Sequence, residues 1–370
     1  MTKKEKYMQR AIELAKMGMG YTSPNPMVGC VVVKDDEIIS EGYHERYGEY
    51  HAERNALMRC RQDTAGAQLY VTLEPCCHHG KTPPCTDIII EKGIAEVYIG
   101  SLDPNPLVDG GGIKVLKEHG IKVKSGICKK ECDELNEVFF HYIKSGMPFV
   151  ALKYAMTLDG KIACANGDSK WITSENARAH VHKLRKQYTG IMVGIGTVLK
   201  DDPMLNCRIE KGVDPVRIIC DSHLRIPPDS QIVKSAKNIK TYVFATDERM
   251  ENLKKAKQLE AKKVNVVWQT ARDRVDLDDA LRYLGKEGID SILVEGGSTL
   301  NSSLIEQGLI QKVYAYIAPK IVGGKNAPGP VGGIGVVKMS DALKLTNISM
   351  MQIGCDYIVE GSVDSFCSQE

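Results

Sequence analysis

Short runs of β-branched and aromatic residues alternate with helical periodicity along nearly the whole chain, and that alternation restricts it to an α/β architecture. A helix is expected near 3–18, followed by strands at 28–34 and 38–43. The polar turn Asp35-Asp36 between those strands reads as a hairpin. HAERNALMRC (51–60) begins a helix, QLYVTLE (68–74) is a strand, and a helix near 86–92 leads to the strand EVYIGS (96–101). A further helix follows the glycines at 110–112, a strand covers 121–123, and one helix spans 130–144. This order describes a sandwich around a largely parallel sheet with one antiparallel hairpin. Gly146 suits a helix end and Pro148 cannot continue one, so a domain boundary is placed there, giving units 1–146 and 147–370. The second unit alternates again, with strands at 149–156, 191–194, 216–220, 240–245, 264–268, 291–295 and 313–319. No internal repeat relates the two halves.

Composition narrows the function classes. A hydrophobic content of 43% with 26% charged residues is that of a globular chain and excludes disorder for its bulk. The net charge of +2 makes no electrostatic case for a polyanionic partner, so no nucleic acid is expected. No stretch approaches the roughly 18 apolar residues that span a bilayer, so no membrane is expected either. The N-terminus starts basic but reads as an amphipathic helix with Met8, Ile12, Ala15 and Met19 on one stripe. Without a continuous apolar run and a small-residue cleavage site it is no secretory signal, and the chain is expected in the cytoplasm. The 12 cysteines are scattered, as buried thiols of a reducing compartment would be, except for the cluster at 76, 77 and 85.

That cluster carries chemistry. His51-Ala-Glu53 opens a helix, and Pro75-Cys76 with Cys85 follows one strand later. One histidine and two cysteines supply the three protein ligands of a catalytic zinc, with the fourth position open to water. Glu53, two residues from a ligand, reaches that water without being a ligand and is the proton shuttle between water and departing ammonia. This is the H-x-E…P-C-x-x-C logic of hydrolytic nucleobase deaminases, except that the segment CHHGKTPP separates Cys76 from Cys85 where two residues are usual. The longer loop, stiffened by Pro83 and Pro84, leaves open whether Cys77, His78 or His79 replaces a named ligand. Two other readings share these residues. One is a transfer-RNA deaminase with a C-terminal binding module, opposed by the balanced charge and the 6% aromatic content. The other is a zinc-stabilised scaffold, opposed by Glu53, which a four-ligand structural site does not need.

The segments PNPMVGCVV (24–32), HAERNAL (51–57), TLEPCCHHGKTPPCTDIII (72–90) and LDPNPLVDGGG (102–112) resemble the deaminase half of the bifunctional riboflavin-biosynthesis deaminase/reductases. ALKYAMTLDGKIA (151–163), GDSKWITS (167–174), GIGTVLKDDPMLNCR (194–208) and LVEGGSTL (293–300) resemble the reductase half, so the likeness spans nearly the whole chain. It implies a cytidine-deaminase-like α/β/α sandwich followed by a dihydrofolate-reductase-like α/β domain. It also implies Zn²⁺ and NADPH as cofactors, a small phosphorylated pyrimidine as substrate, and a homo-oligomer. In the first half the resemblance assigns Asn25, Lys81, Asp103 and Asn105 to the substrate.

The second half has no G-x-G-x-x-G opening a helix after its first strand, so a standard Rossmann site is not supported. It does have two glycine-containing strand-to-helix turns, at Gly194-Ile195-Gly196-Thr197 and Glu295-Gly296-Gly297-Ser298-Thr299, where backbone could approach phosphate. The resemblance implies that Lys153 is catalytic and that Ser169, Arg185, Leu205, Arg208 and Glu295 meet the substrate. Arg185 and Arg208 would grip its phosphate, and Glu295 with Lys153 its sugar. Ala155, Trp171, Thr197, Asp201, Ser222, Gly297, Ser298 and Thr299 would hold the cofactor.

Overall fold

The computed structural model describes residues 1–370 except 81, 107, 109, 248, 271, 272 and 364–370. It divides into two compact units, Met1–Gly146 and Met147–Glu370.

In the first unit, α1 (Lys3–Lys16) starts at Thr2, whose hydroxyl accepts from the Glu5 amide while the Glu5 carboxylate accepts from the Thr2 amide. The hairpin β1 (Gly29–Lys34) and β2 (Glu37–Tyr43) turns through Asp35 and Asp36 at φ 50° and 64°, left-handed values whose twist matches that of the flanking strands. There follow α2 (Ala52–Arg59), β3 (Gln68–Leu73), α3 (Cys85–Glu91), β4 (Glu96–Ser101), α4 (Gly111–Glu118), β5 (Lys122–Ser125), α5 (Lys129–Leu135) and α6 (Glu137–Ser145). The sheet order is β2-β1-β3-β4-β5. The strands β3, β4 and β5 are parallel, but β1 runs antiparallel to β3 as well as to β2, one antiparallel pairing more than the sequence implied. Strand alternation divides the core between the sheet faces. Cys30, Val32, Leu69, Val71, Val97 and Ile99 pack with α2, α3 and α4, while Val31, Val33, Tyr70 and Tyr98 pack with α1 and α5. The result is a three-layer α/β/α sandwich. The single helix expected over 130–144 is broken at Asn136, a buried residue whose side-chain amide accepts from the Met27 N–H at 2.9 Å and donates to its carbonyl at 3.0 Å.

The second unit is built on nine strands. It begins with β6 (Phe149–Thr157), α7 (Glu175–Gln187), β7 (Gly190–Gly194), α8 (Ile195–Asp201), β8 (Val216–Cys220), α9 (Gln231–Lys234) and β9 (Thr241–Ala245). It continues with α10 (Met250–Ala261), β10 (Val264–Trp268), α11 (Leu277–Lys286), β11 (Ser291–Val294), α12 (Ser298–Glu306), β12 (Lys312–Ala318), β13 (Leu345–Ile353) and β14 (Asp356–Val363). The order is β10-β9-β8-β7-β11-β6-β12-β14-β13, parallel as far as β12. The antiparallel hairpin β13–β14 was not read from the sequence, because β13 (LTNISMMQI) is exposed along most of its length and carries no burial alternation. One face of the sheet packs on α11 and α12, the other on α8, α9 and α10. Among the described residues no helix is long and apolar enough to cross a membrane.

Candidate active sites

The first site is built from element ends. His51 is the residue before α2 and has extended backbone, Cys76 lies just past β3, and Cys85 is the first residue of α3. The Cys76 carbonyl accepts from the N–H groups of Cys85 and Thr86 at 3.1 and 3.2 Å, which closes the intervening loop at its base. His51 Nδ1 then lies 3.5 Å from Cys76 Sγ and 3.4 Å from Cys85 Sγ, with all three ligand atoms within 4.8 Å of one another. A tetrahedral zinc with Zn–S of about 2.3 Å and Zn–N of about 2.0–2.1 Å sets its nitrogen and sulfur ligands about 3.5 Å apart, so this donor set fits the ion. Cys77, His78 and His79 do not join the group. Cys77 Sγ instead lies against Gly111, 2.8 Å from where a Cβ would stand.

Glu53 is 3% exposed, and burial pushes its carboxyl up to about 7. It lines a cavity of about 250 Å³ together with His51, Cys76, Asn25, Asp103 and Asn105. The Asp103 carboxylate accepts from the Asn105 N–H at 2.9 Å, and burial pushes Asp103 up to about 6. Lys81 lies outside the described residues. His44 and His78, which the sequence did not assign to substrate, also line this cavity. His44 is 2% exposed; its Nδ1 donates to the Tyr50 carbonyl at 3.0 Å, so Nε2 accepts from Asn25 Nδ2 at 3.2 Å and fixes that amide. The ring of His44 also stands edge-on to that of His51, 5.3 Å between centroids. In sequence His44 is one more polar residue at a strand end, and nothing local marks it.

The second site is a cavity of about 1280 Å³ at the carboxyl ends of parallel strands, where open α/β sheets bind ligands. Lys153 and Ala155 enter it from β6, Ser222 from the end of β8, and Glu295 with Gly297, Ser298 and Thr299 from the turn between β11 and α12. Thr197 and Asp201 come from α8, Arg185 from α7, and Ser169, Trp171, Leu205 and Arg208 from loops. The volume exceeds what one small ligand usually fills. At Gly194, Gly196 and Gly297 a Cβ would meet nothing within 4 Å, so both glycine turns present bare backbone to the open space, as the phosphates of a dinucleotide require.

Arg185 donates from Nε and Nη2 to the two Glu295 oxygens at 2.7 and 3.0 Å, and from Nη1 to the Asn206 carbonyl at 3.0 Å. Its fork therefore grips a carboxylate, which differs from the phosphate grip read from the sequence. Lys153 Nζ lies 3.8 Å from Glu295 on the other side. Burial alone would raise the Glu295 carboxyl, but Arg185 and Lys153 outweigh it and hold it down to about 2. Burial lowers the Lys153 ammonium, with Glu295 opposing. Trp171 is 62% exposed, with the Arg178 guanidinium 4.4 Å from its ring centroid, so it is not a core residue.

Residues 1–101 match the cytidine and deoxycytidylate deaminase zinc-binding region, and residues 148–359 match the RibD C-terminal domain. The riboflavin biosynthesis protein RibD of Actinobacillus pleuropneumoniae is 54% identical over 96% of this chain and 94% of its own. That of Escherichia coli is 39% identical over 95% and 97%. A Thermotoga maritima diaminohydroxyphosphoribosylaminopyrimidine deaminase/5-amino-6-(5-phosphoribosylamino)uracil reductase superimposes with a TM-score of 0.86 at 41% identity, covering 98% of this chain and 99% of that one. With a zinc-binding deaminase unit joined to a reductase unit, the chain belongs to the RibD family of bifunctional riboflavin-biosynthesis enzymes.

Proposed function

We propose that residues 1–146 hydrolytically deaminate a diaminohydroxyphosphoribosylaminopyrimidine and that residues 147–370 then reduce its ribosyl side chain to ribityl with NADPH. The observation that carries this reading is the convergence of His51, Cys76 and Cys85 beside buried Glu53 in one unit, with a separate dinucleotide-sized cavity in the other. Zinc held by His51, Cys76 and Cys85 supplies the Lewis acidity that makes a water nucleophilic near neutral pH. Glu53 removes a proton from the attacking water and returns it to the departing ammonia. Asn25, Asp103, Asn105 and Lys81 orient the ring and its phosphorylated sugar. In the second unit NADPH supplies the hydride, held along Gly297–Thr299, Thr197, Asp201, Ser222, Ala155 and Trp171. Lys153 and Glu295 bind the sugar and polarise the carbon that is reduced. Arg208 and Ser169 take the phosphate, and Arg185 holds Glu295 ionised and in place. Leu205 forms part of the wall.

A transfer-RNA deaminase with a C-terminal binding module is not favoured, because the C-terminal unit is that of a RibD reductase. We place the enzyme in the cytoplasm, where its scattered thiols suit a reducing milieu. We also read it as a homo-oligomer. The edge strand β13 exposes Ile348 (63%) and Met350 (70%), an apolar edge that monomers rarely leave uncovered. Ile348→Lys should then dissociate an assembly seen by sedimentation, and a monomeric parent would end that reading.

Glu53→Gln should retain its zinc and lose deamination by roughly 10²–10⁴-fold, measured as ammonia release. Loss of the metal instead would make Glu53 a ligand and overturn the mechanism. Lys153→Ala should stop NADPH oxidation on the deaminated pyrimidine while ammonia release continues. Loss of both activities together would point to a shared site.

A further inference from the structure

Arg217, on β8, is fully buried and forms no salt bridge among the described residues. Its five N–H donors all meet neutral acceptors. Nε donates to Thr241 Oγ1 at 3.0 Å, Nη1 to Ser235 Oγ at 2.7 Å and to the Met204 carbonyl at 3.3 Å, and Nη2 to the carbonyls of Ile232 and Ile239 at 2.9 and 3.2 Å. Asp214 favours the cation from beyond ion-pair distance, but burial outweighs it, and a well-packed apolar residue would serve the core better. What the cation obtains in return is the set of carbonyls it gathers, and one of them belongs to the wall of the reductase cavity.

That wall is the segment 202–205, each of whose residues lines the cavity. Two of them have left-handed backbone, Asp202 at φ 40° and Leu205 at φ 51°. Leu205 is a γ-branched residue with no intrinsic reason to adopt that conformation, and its side chain is 3% exposed within the core beside α8, α9 and α10. The segment is tied down at two points. At its start the Asp202 carboxylate accepts from the Gln231 N–H at 2.8 Å, and the Asp202 carbonyl accepts from Gln231 Nε2 at 2.7 Å. At the other end the tie is Arg217 on Met204. Immediately beyond comes Asn206, whose carbonyl holds Arg185 Nη1, and Arg185 grips Glu295 beside Lys153.

We infer that Arg217 is a positioning residue for reduction: through Met204 it holds Leu205 in its left-handed conformation and sets the Asn206 carbonyl that aims Arg185 at Glu295. This rests on the placement of reduction in the second unit. The guanidinium, lowered by burial to about 10, still carries its charge at neutral pH, so its five bonds are charge-assisted. Arg217 itself is not among the residues that line the cavity. Arg217 acts on the shape of the wall.

The test is made on the zinc-loaded full chain with Arg217→Lys, which keeps the charge but cannot span five acceptors, and with Arg217→Met. Ammonia release, which belongs to the other unit, calibrates the amount of enzyme. Arg217→Lys should raise KM for the deaminated pyrimidine by about tenfold or more, with kcat changed by less than about threefold, as expected when a lost group affected binding more than chemistry. Amide exchange should accelerate at Met204, Leu205 and Asn206 and stay unchanged in β6 and β7. Leu205→Gly, which removes the conformational demand, should make the effects of the two substitutions less than multiplicative. The inference is overturned if folded Arg217→Lys keeps KM and kcat within twofold of the parent, or if exchange quickens throughout the unit. It is equally overturned if both variants fail to fold, since Arg217 would then serve the core and not the wall. Loss of reduction by Lys153→Ala together with the raised KM of Arg217→Lys supports it; full reduction by Lys153→Ala and by Arg217→Lys removes reduction from this cavity and the underlying reading with it.

Discussion

In the N-terminal unit three proposed metal ligands from three element ends converge within 4.8 Å beside a cavity of about 250 Å³, whereas the C-terminal unit spreads its proposed contacts over a cavity of about 1280 Å³. The first arrangement is concentrated: each ligand is one of a minimum set, and zinc chemistry tolerates none missing. The second is distributed. Its proposed cofactor and substrate residues arrive from β6, α7, α8 and several loops, and a compact feature within it is the buried group Lys153–Glu295–Arg185. The difference predicts how the two activities should fail. A concentrated site should collapse with any one residue, and a distributed site should lose function in small steps except at its compact group.

The largest effect is expected from Cys85→Ala. It removes the ligand and with it the reason for Glu53 to lie beside a polarised water. Deamination should therefore fall by more than the roughly 10²–10⁴-fold assigned to general acid–base catalysis alone. Metal analysis should find zinc lost, while NADPH oxidation on the deaminated pyrimidine stays within twofold of the parent. A parallel loss of reduction would break the separation of the two sites.

Next comes Arg185→Ala, aimed at the compact group of the distributed site. Both side chains are largely buried, at 12% and 14% exposure for Arg185 and Glu295, and breaking such a pair costs about 3–5 kcal/mol. Denaturant unfolding of the second unit measures this. The sign with pH follows from Glu295, whose folded value of about 2 lies below its ordinary 4.5. The contribution is complete above pH 4.5 and disappears as pH falls toward 2. Parent and variant should therefore differ fully at pH 6 and converge on acidification. A difference that stayed constant from pH 6 down to pH 2 would mean that Glu295 is already protonated at neutral pH.

The same contrast governs what could be read from the chain beforehand. Glu53, His51, Cys76 and Cys85 stand at or near helix and strand ends, so the spacing of HAE and PC…PPC is enough to group them. Ser169 and Ser222 are ordinary loop residues and Thr197 an ordinary residue of a first helical turn, and only resemblance to a known family names them. The residues that hold the sites were not legible at all. Asn136 acts on a backbone 109 positions away and was taken for the interior of one helix, and His44 works through the Asn25 amide. Arg217 reaches Met204, 13 positions earlier, across residues 205–215, which are in no helix or strand. Such contacts depend on tertiary geometry, which local periodicity does not encode. The exposed edge strand β13 escaped for a simpler reason: a strand that buries neither face shows no alternation.

Asn136→Ala tests one of these hidden supports. It removes a donor and an acceptor from the partly buried Met27 backbone, each bond contributing about 0.5–1.5 kcal/mol and an unsatisfied group costing about 1–3. Met27 follows Asn25 and Pro26, both on the deaminase cavity wall. The variant should therefore raise the deaminase KM by roughly tenfold, a step of about 1.4 kcal/mol, and keep its zinc. Asn136→Asp retains only the acceptor and should fall between parent and alanine variant. Equal values for the two would place the effect in the helix break and not in the clamp.

The smallest effect is expected at Thr197, and it is the sharpest probe of the distributed site. Thr197 lies in the first turn of α8, after the turn that begins with Gly194, and lines the large cavity as one of many polar groups. Thr197→Val preserves shape and removes a single hydroxyl. If that hydroxyl gives the cofactor one hydrogen bond among many, its loss should cost about 0.5–1.5 kcal/mol, or roughly 2- to 12-fold in KM for NADPH. KM for the pyrimidine should not move, because Thr197 is on the cofactor side of the proposed assignment. The structure around it should not move either, since a valine fills the same volume within the helix. A loss above about a hundredfold, near 2.7 kcal/mol, would mean that binding energy is concentrated at this turn. The cavity would then have an anchor comparable to the zinc ligands, and the contrast between the two units would no longer hold. A change in the pyrimidine KM alone would leave the contrast standing but exchange the two sides of the cavity.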